Sequence, residues 1–141
     1  MSKQRYQIEI VIFRAEPLDY QKKRHTAIHM ISEKGEHFMY HIRGSQRDFS
    51  FEARRGYNPT ESNTFAKRIP IEWLAHPLAA AEMGTILSNV PIDNRGDGYN
   101  CQQWVGDALD HLVAEKLLSR KAVDGAIDGM VDAIMDAKDE P

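Results

Sequence analysis

One cysteine and a cluster of histidines are the residues of this sequence best suited to chemistry. Cys101 is the only cysteine in the 141 residues, and four of the six histidines stand close together in the N-terminal third. A cysteine thiolate is a strong nucleophile, and a neutral imidazole can take up the thiol proton. Such a pair is typical of acyl-transfer and hydrolytic enzymes. The clustered histidines are His25, His29, His37 and His41.

The segment from Cys101 to Leu117 predicts a long amphipathic helix. Its apolar residues recur with the helical period, and Asn100 stands directly before it as an N-cap. Cys101 then lies in the first turn, on the buried side that Trp104 shares. Backbone N–H groups and the helix dipole favour a thiolate at this position and could stabilise an oxyanion beside it. The alternative is that the lone cysteine is simply a small buried hydrophobic residue.

Two short segments carry the clustered histidines and predict a β-hairpin. If the stretch between them forms a five-residue loop, Ala27 lies opposite His41, and His25 becomes a diagonal neighbour of His41 at about 7–8 Å between Cα atoms. A two-residue turn at Lys34–Gly35 would place His25 and His41 on opposite faces of the hairpin instead. The sequence leaves both registers open. The two strands are HTAIHMI and HFMYHI, and the connecting stretch is SEKGE.

The spacing His-x-x-x-His occurs twice and raises the alternative of a metal site. On a helix this spacing brings two ligands together, but in a strand the same residues lie about 13 Å apart. A cross-strand trio of His25, His29 and His41 could still hold zinc with an open coordination position. The simpler alternative is that these histidines are half-buried on a sheet, hydrogen-bonded and inert. We expect no metal ion and no other cofactor.

The rest of the chain predicts strands first and helices afterwards. The segment 65–75 is ambiguous, because Pro70 interrupts any regular element there. An antiparallel sheet packed against the helix that starts at Cys101 follows from this order, so the predicted class is α+β. The further elements expected are strands at 6–13 and 49–51, and helices at 77–87 and after Ser119.

A single domain accounts for residues 1–141, with its core over about 6–118. The segment 120–141 carries a stripe of valine, isoleucine and methionine, and it holds Gly125 and Gly129 in GxxxG spacing. We favour a C-terminal helix that lies on its own domain, because this spacing drives association mainly in apolar membrane helices. The alternative is a homodimer that forms through the same helix.

Charge and composition exclude several classes of protein. A net charge of −3 argues against a nucleic-acid-binding protein. We expect no membrane span, because no apolar run approaches the roughly 20 residues that a bilayer requires. The beginning of the chain alternates in polarity and lacks a small-residue cleavage site, so we expect a first strand there and no signal peptide. The lone cysteine excludes an intramolecular disulfide and favours a reducing, cytoplasmic location.

Three motifs, taken together, resemble the circularly permuted papain-like enzymes. They are HTAIHM, in which His25 opens a strand, MYHI, which contains His41, and NCQQWV, in which Cys101 opens a helix. The resemblance is to the NlpC-type and lecithin retinol acyltransferase groups, and to a set of small uncharacterised fungal proteins that end in Cys-Gln-x-Trp-Val. It covers about residues 6–118. Thr26 departs from the acyltransferases, which usually have tryptophan there.

The resemblance implies a permuted papain-like order of elements and a mechanism based on cysteine. Cys101 corresponds to the nucleophile, His25 to the general base, and His41 to the residue that orients the base. The likeness to the fungal set also implies a place in secondary metabolism, with cyclisation or condensation of metabolites as further reactions.

A cavity between the sheet and the helix is expected to hold a small-molecule substrate. We expect the function to be hydrolysis, acyl transfer or cyclisation at a carbonyl group through the pair of Cys101 and His25. The alternative is a non-catalytic protein that keeps the fold and binds a small molecule or a partner. Trp104 fits a core position better than a substrate platform. The candidate pocket residues beside the pair are His29, Tyr40, Asn100, Gln102 and Trp104.

Overall fold

A computed structural model describes residues 3–16 and 18–137, apart from the side chain of Lys22. The predicted extension of the domain to both chain ends, including the last residues of the segment 120–141, lies outside the described residues. Five antiparallel strands and three α-helices make up the described part, so the predicted α+β class with an antiparallel sheet is confirmed.

The five strands form one sheet in the order β4-β3-β2-β1-β5. The strands β1 to β4 pair in sequence order, so that β4 forms one edge of the sheet, and β5 returns to pair with the free edge of β1. Alternating and β-branched sequences favour this extended backbone. The strands are β1 (Tyr6–Phe13), β2 (His25–Ser32), β3 (His37–Arg43), β4 (Ser50–Arg55) and β5 (Phe65–Trp73).

The helices cover one face of this sheet and form the main core with it. They are α1 (Ala80–Ser88), α2 (Cys101–Ala114) and α3 (Arg120–Met135), and short 3-10 turns occupy Gln21–Lys23 and Pro59–Glu61. The Asn100 side chain accepts hydrogen bonds from the backbone of Gln102 and Gln103, as its position before Cys101 predicts. Helix α2 therefore begins at the cysteine. The prediction of a helix starting at Pro77 was wrong, because Leu78 pairs with Gln4 as a bridge before α1 begins.

Two strands differ from the sequence prediction for identifiable reasons. β5 runs through Pro70, so the segment that the sequence left ambiguous is a strand. β5 pairs only with β1, and the register shifts beside Pro70, where it lies opposite Glu9. A residue without an N–H group is tolerated at such an irregular edge. β4 is longer than predicted because its polar, largely exposed residues give little apolar signal.

The helix α3 packs on its own sheet. Most of its apolar stripe is buried, although Val131 and Met135 are exposed, and a Cβ atom built on Gly129 would lie 3.4 Å from Cγ2 of Ile69 in β5. The glycine therefore lets the helix backbone approach the strand closely. The homodimer through this helix stays a prediction. No helix in the ranges 3–16 and 18–137 is long and apolar enough to cross a membrane.

The opposite face of the sheet buries a charged group. Glu9 and His29, which are paired across β1 and β2, are both fully buried. Oε2 of Glu9 lies 2.7 Å from Nδ1 of His29, and Oε1 accepts bonds from Arg68 at 2.9 and 3.1 Å. Nε2 of His29 lies 2.9 Å from Nδ1 of His37. We call Glu9, His29 and His37 the inner triad.

Hydrogen bonds keep the Glu9 carboxylate of the inner triad ionised although it is buried. Burial alone would raise the pKa of this carboxyl, but the hydrogen bonds from His29 and Arg68 outweigh it and lower the pKa. A buried carboxylate with all its partners in place ties β1, β2 and β5 together. Removal of one partner would leave buried polar groups without hydrogen bonds.

Substitution Glu9→Leu should destabilise the fold by about 2–4 kcal/mol, because it leaves the buried His29 ring without its acceptor. Urea unfolding followed by circular dichroism measures the change. Glu33→Gln is the matched control, since Glu33 is exposed and accepts only the Arg5 backbone N–H, at 2.8 Å. We expect the control to stay within about 1 kcal/mol of the unsubstituted protein. Equal stability of the two variants would contradict a structural role for the inner triad.

Candidate active site

The register of the β2–β3 hairpin places all four clustered histidines on one face of the sheet. Ile31 lies opposite His37 and Ile28 lies opposite Tyr40. This is the register of the five-residue loop, and the alternative of a two-residue turn is wrong. Within the loop, Ser32 N donates to Glu36 O at 2.9 Å and closes the turn.

His25 and His41 form a hydrogen bond at the end of this face. Nε2 of His25 lies 2.7 Å from Nδ1 of His41, so the predicted pairing of the two residues is confirmed. Nε2 of His41 lies 2.8 Å from Oε1 of Glu52 in β4, and Oε2 of Glu52 accepts a bond from Arg43 at 2.9 Å. We call Glu52, His41 and His25 the outer triad.

Glu52 is the member of the outer triad that the sequence reasoning missed. It lies directly opposite His41 in the β3–β4 register. The predicted strand around 49–51 was too short to include it. The alternation of Phe49, Phe51 and Ala53 with polar residues was the available signal. Extending that alternation by a few residues would have placed Glu52 on the histidine face.

The carboxylate at one end of the outer triad sets the positions of its protons. Hydrogen bonds from His41 and then Arg43 lower the pKa of Glu52, so this group is an acceptor near neutral pH. His41 then donates from Nε2 and accepts at Nδ1. His25 in turn donates from Nε2, and its Nδ1 keeps a lone pair. The arrangement therefore presents a basic nitrogen on His25.

Burial keeps both rings of the outer triad neutral. Burial, with a further contribution from His41, lowers the pKa of His25 to about 4. Burial also lowers the pKa of His41, against the opposing effect of Glu52. A neutral imidazole is the form that can accept a proton. His25 is thus available as a base over the whole range near neutral pH.

Cys101 lies at the N-terminus of α2, beside the start of β2. Its thiol donates to the carbonyl oxygen of Arg24 at 3.7 Å, and Arg24 directly precedes His25 in the chain. Burial raises the pKa of the Cys101 thiol, so the thiolate that the helix N-terminus favours is not the resting state. Thr26 and the backbone N–H groups of Cys101 and Gln102 act in the opposite direction but are outweighed.

Thr26 carries a buried hydroxyl that acts on the thiol of Cys101. The residue is fully buried, and Oγ1 has no hydrogen-bond partner within the described ranges. The same side chain lowers the pKa of Cys101. A hydroxyl without a partner is costly to bury, unless a second state of the site supplies an acceptor. A thiolate on Cys101 would be such an acceptor.

A cavity of about 640 Å³ joins the thiol to the outer triad. Its lining includes Cys101, His25, His41 and Asn100, so the structure brings these four candidates together. The other lining residues come from the end of the 3-10 turn and from the β3–β4 connection. They are Lys23, Arg24, Ile42, Arg43, Gly44, Ser45, Gln46 and Phe49.

Paired loops hold one wall of this cavity. The Gln46 amide donates to the Tyr99 carbonyl and accepts from the Gly98 N–H, each at 2.9 Å. The Asn94 side chain bonds both backbone groups of Phe49, at 2.9 and 3.0 Å. These side chains replace the backbone pairing that a sheet would provide.

Two candidate pocket residues lie outside the cavity, each for a different reason. His29 lies four residues beyond His25 along β2, and both of its ring nitrogens are used in the inner triad. Tyr40 is on the helix-covered face, where its hydroxyl donates to the Ala80 carbonyl at 3.4 Å. Tyr40 does not line the cavity, which His41 and Ile42 reach further along β3. The prediction that His29 and Tyr40 line the pocket was wrong.

Two further candidates on α2 have structural roles. Trp104 is fully buried in the main core, as the helical pattern indicated, and it does not line the cavity. The Gln102 amide donates to the carbonyl oxygens of Gln21 at 3.1 Å and Arg24 at 3.5 Å. Gln102 therefore fixes the backbone beside the thiol and is not a pocket residue.

The alternative of a zinc site has no support in this geometry. Within residues 3–16 and 18–137, no group of three or more histidine, cysteine, aspartate or glutamate side chains is arranged to hold a metal ion. The trio of His25, His29 and His41 is divided between the two triads.

Comparison with known proteins identifies one family. The sequence model of DUF6540, described as a family of unknown function, matches residues 12–119, well over half of the chain. The matched segment includes both triads except Glu9, and it includes Cys101. No curated protein and no solved structure matches the chain.

Substitution Thr26→Val should slow alkylation of Cys101 by iodoacetamide roughly tenfold near neutral pH, because it removes a donor that stabilises the thiolate. Thr26→Ser keeps the hydroxyl and should preserve most of the rate. The measurement is the alkylation rate against pH for each protein. Thr85→Val is the control, since Thr85 lies exposed on α1 and bonds its own helix backbone. An unchanged profile for Thr26→Val would show that the hydroxyl does not act on the thiol.

Proposed function

The chain belongs to DUF6540, a family of unknown function, and we propose that it is a cysteine-dependent enzyme. It transfers or hydrolyses the acyl group of a small molecule through Cys101 and His25. The observation that carries this proposal is the cavity that both Cys101, at a helix N-terminus, and His25, the end member of the outer triad, line. The chain order of His25, His41 and Cys101 also fits the permuted papain-like arrangement.

The outer triad prepares His25 for proton transfer. Because Glu52 accepts from His41 and His41 accepts from His25, the lone pair is held on Nδ1 of His25. When that nitrogen takes up a proton, the positive charge is stabilised through His41 by the carboxylate. His41 and Glu52 act as positioning residues in this scheme, since neither contacts the substrate carbonyl.

The reaction has two stages, acylation of Cys101 and release of the acyl group to an acceptor. The Cys101 sulfur attacks the carbonyl carbon while its proton passes to Nδ1 of His25, and the carbon–sulfur bond forms. The tetrahedral intermediate then collapses, and the leaving group departs with the proton from His25. Water, or another acceptor, attacks the thioester with His25 as base, and the thiol is restored. An intramolecular nucleophile as acceptor would give a cyclic product.

In this reaction, the N-terminus of α2 stabilises the oxyanion of the tetrahedral intermediate. Asn100 caps the N–H groups of Gln102 and Gln103, and the N–H of Cys101 is not among those it caps. This N–H group points toward the thiol and lowers its pKa. An oxygen bound next to the sulfur would receive the same donor, supported by the positive end of the helix dipole.

One observation favours a second candidate function, that of a non-catalytic binding protein. The resting thiol is neutral, because burial raises its pKa, and it bonds the Arg24 carbonyl in place of an imidazole. The same cavity would then hold a small molecule without chemistry. A cytoplasmic location and a homodimer remain further expectations from the sequence.

Acylation of Cys101 separates the two functions. We expect p-nitrophenyl acetate to release a burst of p-nitrophenol and to leave one acetyl group on Cys101, detected by intact-mass and peptide mass spectrometry. Cys101→Ser should lose the thioester, and His25→Gln should slow acylation roughly 10²–10⁴-fold. The rate should be flat above about pH 5 and fall as the pH drops through about 4, where His25 becomes protonated.

The matched control is His111→Gln, since His111 lies on α2 away from the cavity. It should leave the acylation rate unchanged. A binding protein would instead show no acetyl group on Cys101, and its ligand affinity would survive Cys101→Ser.

Substitution Glu52→Gln should reverse the direction of the hydrogen bonds in the outer triad. The amide of Gln can donate to Nε2 of His41, which then donates from Nδ1 to His25 and forces the His25 proton onto Nδ1. Nδ1 of His25 then has no lone pair to accept the thiol proton, although the Gln side chain keeps the shape of Glu52. Acylation should therefore fall at least about 100-fold. Acylation kinetics with the same ester measure this.

Glu52→Asp keeps the charge and should be affected less, whereas Glu36→Gln, at the far end of the hairpin, should have no effect. Thermal melting would check that Glu52→Gln stays folded. A folded Glu52→Gln variant with full activity would exclude the proposed role of the outer triad.

A further inference from the structure

The cavity beside Cys101 has a basic lining. Lys23, Arg24 and Arg43 contribute to it, and within the described part of the chain no aspartate or glutamate does. The protein as a whole carries a net charge of −3. Arg24 and Arg43 are each paired with one carboxylate, that of Asp19 and that of Glu52, so the excess of positive charge comes from Lys23. A cleft lined by one sign of charge raises the local concentration of ligands of the opposite sign.

Arg24 does not contribute to the attraction of anionic ligands to this cavity. Its guanidinium is nearly buried and binds both carboxylate oxygens of Asp19, at 2.7 and 3.0 Å. A third bond, of 2.7 Å, reaches the Ala133 carbonyl in α3. The charge of Arg24 is therefore neutralised, and its role is to join the start of β2 to the C-terminal helix.

Lys23 and Arg43 are the two cations that a ligand can reach. The Arg43 side chain is 64 % exposed, and its one bond to Glu52 leaves most of its five N–H donors unused. Lys23 is exposed, and none of the ion pairs among the described residues involves it. The two residues flank the same end of the sheet, because Lys23 precedes β2 and Arg43 ends the antiparallel β3.

We propose that the substrate is a small acyl compound with a carboxylate group, which Lys23 and Arg43 bind while the reacting carbonyl lies at Cys101. This inference rests on the proposed function. Ile42 and Phe49 supply an apolar wall for the carbon chain between the two ends. The cavity of about 640 Å³ has the size of a small-molecule site.

A matched pair of alkylating reagents tests the charge preference without any need for turnover. N-iodoacetylglycine carries a carboxylate a few bonds from the reacting carbon, and N-iodoacetylglycinamide has a neutral amide in its place. The measurement is the ratio of their second-order rate constants with Cys101, which cancels differences in thiol reactivity between variants.

We expect Lys23→Gln to lower the ratio about threefold and the double variant Lys23→Gln/Arg43→Gln to lower it about tenfold. High salt should reduce the ratio in the unsubstituted protein. The single variant is the cleaner test, because Arg43 also bonds Glu52. Lys34→Gln is the matched control, since Lys34 lies in the hairpin turn at the opposite end of the sheet. The control should leave the ratio unchanged.

A ratio that does not respond to Lys23→Gln, or that falls equally with Lys34→Gln, would overturn the carboxylate inference. That result can be told apart from failure of the proposed function. If Cys101 forms an acetyl thioester with p-nitrophenyl acetate but shows no charge preference, the enzyme proposal stands and the substrate class is wrong. If no thioester forms, the proposed function fails, and with it the inference.

Discussion

The antiparallel pairing of β2 with β3 is the constraint on which the site depends. With Ile28 opposite Tyr40, every histidine of the hairpin faces the same side, and His25 meets His41 at 2.7 Å. A slip by one residue would turn one strand's histidines toward the helices. The five-residue turn closed between Ser32 and Glu36 prevents that slip. The strand β4 then only has to pair in register for Glu52 to complete the outer triad.

The two triads contain the same residue types, but they differ in exposure and therefore in role. Each consists of a glutamate, a histidine bonded to it and a second histidine, with hydrogen bonds of 2.7–2.9 Å. In the inner triad the carboxylate and its histidine are fully buried, and Arg68 adds a further partner. In the outer triad the terminal histidine borders a cavity beside a thiol. One triad therefore stabilises the sheet, while the other is in a position to move a proton.

Burial also decides the resting state of the thiol and the imidazole. The helix N-terminus favours a thiolate on Cys101, but the packing of α2 against the sheet removes water and raises the thiol pKa. The same loss of water lowers the pKa of His25 to about 4. The pair is thus neutral at rest, and the reaction that we propose requires proton transfer during the attack on the carbonyl. The Thr26 hydroxyl, which has no hydrogen-bond partner within the described ranges, would then stabilise the charge that forms on the sulfur.

The sequence alone determined the α+β class, the start of α2 at Cys101 and its Asn100 cap, because hydrophobic period and capping chemistry act over a few neighbouring residues. It also identified His25 and His41 as a pair, subject to the register. Pairing between separate strands placed Glu52 in the outer triad and left His29 and Tyr40 outside the pocket. The tertiary structure also decided that the Cys101 thiol is neutral at rest, because its burial depends on what α2 packs against. Local patterns carry no information on these contacts, since residues far apart in the chain become neighbours only when the sheet and helices pack together.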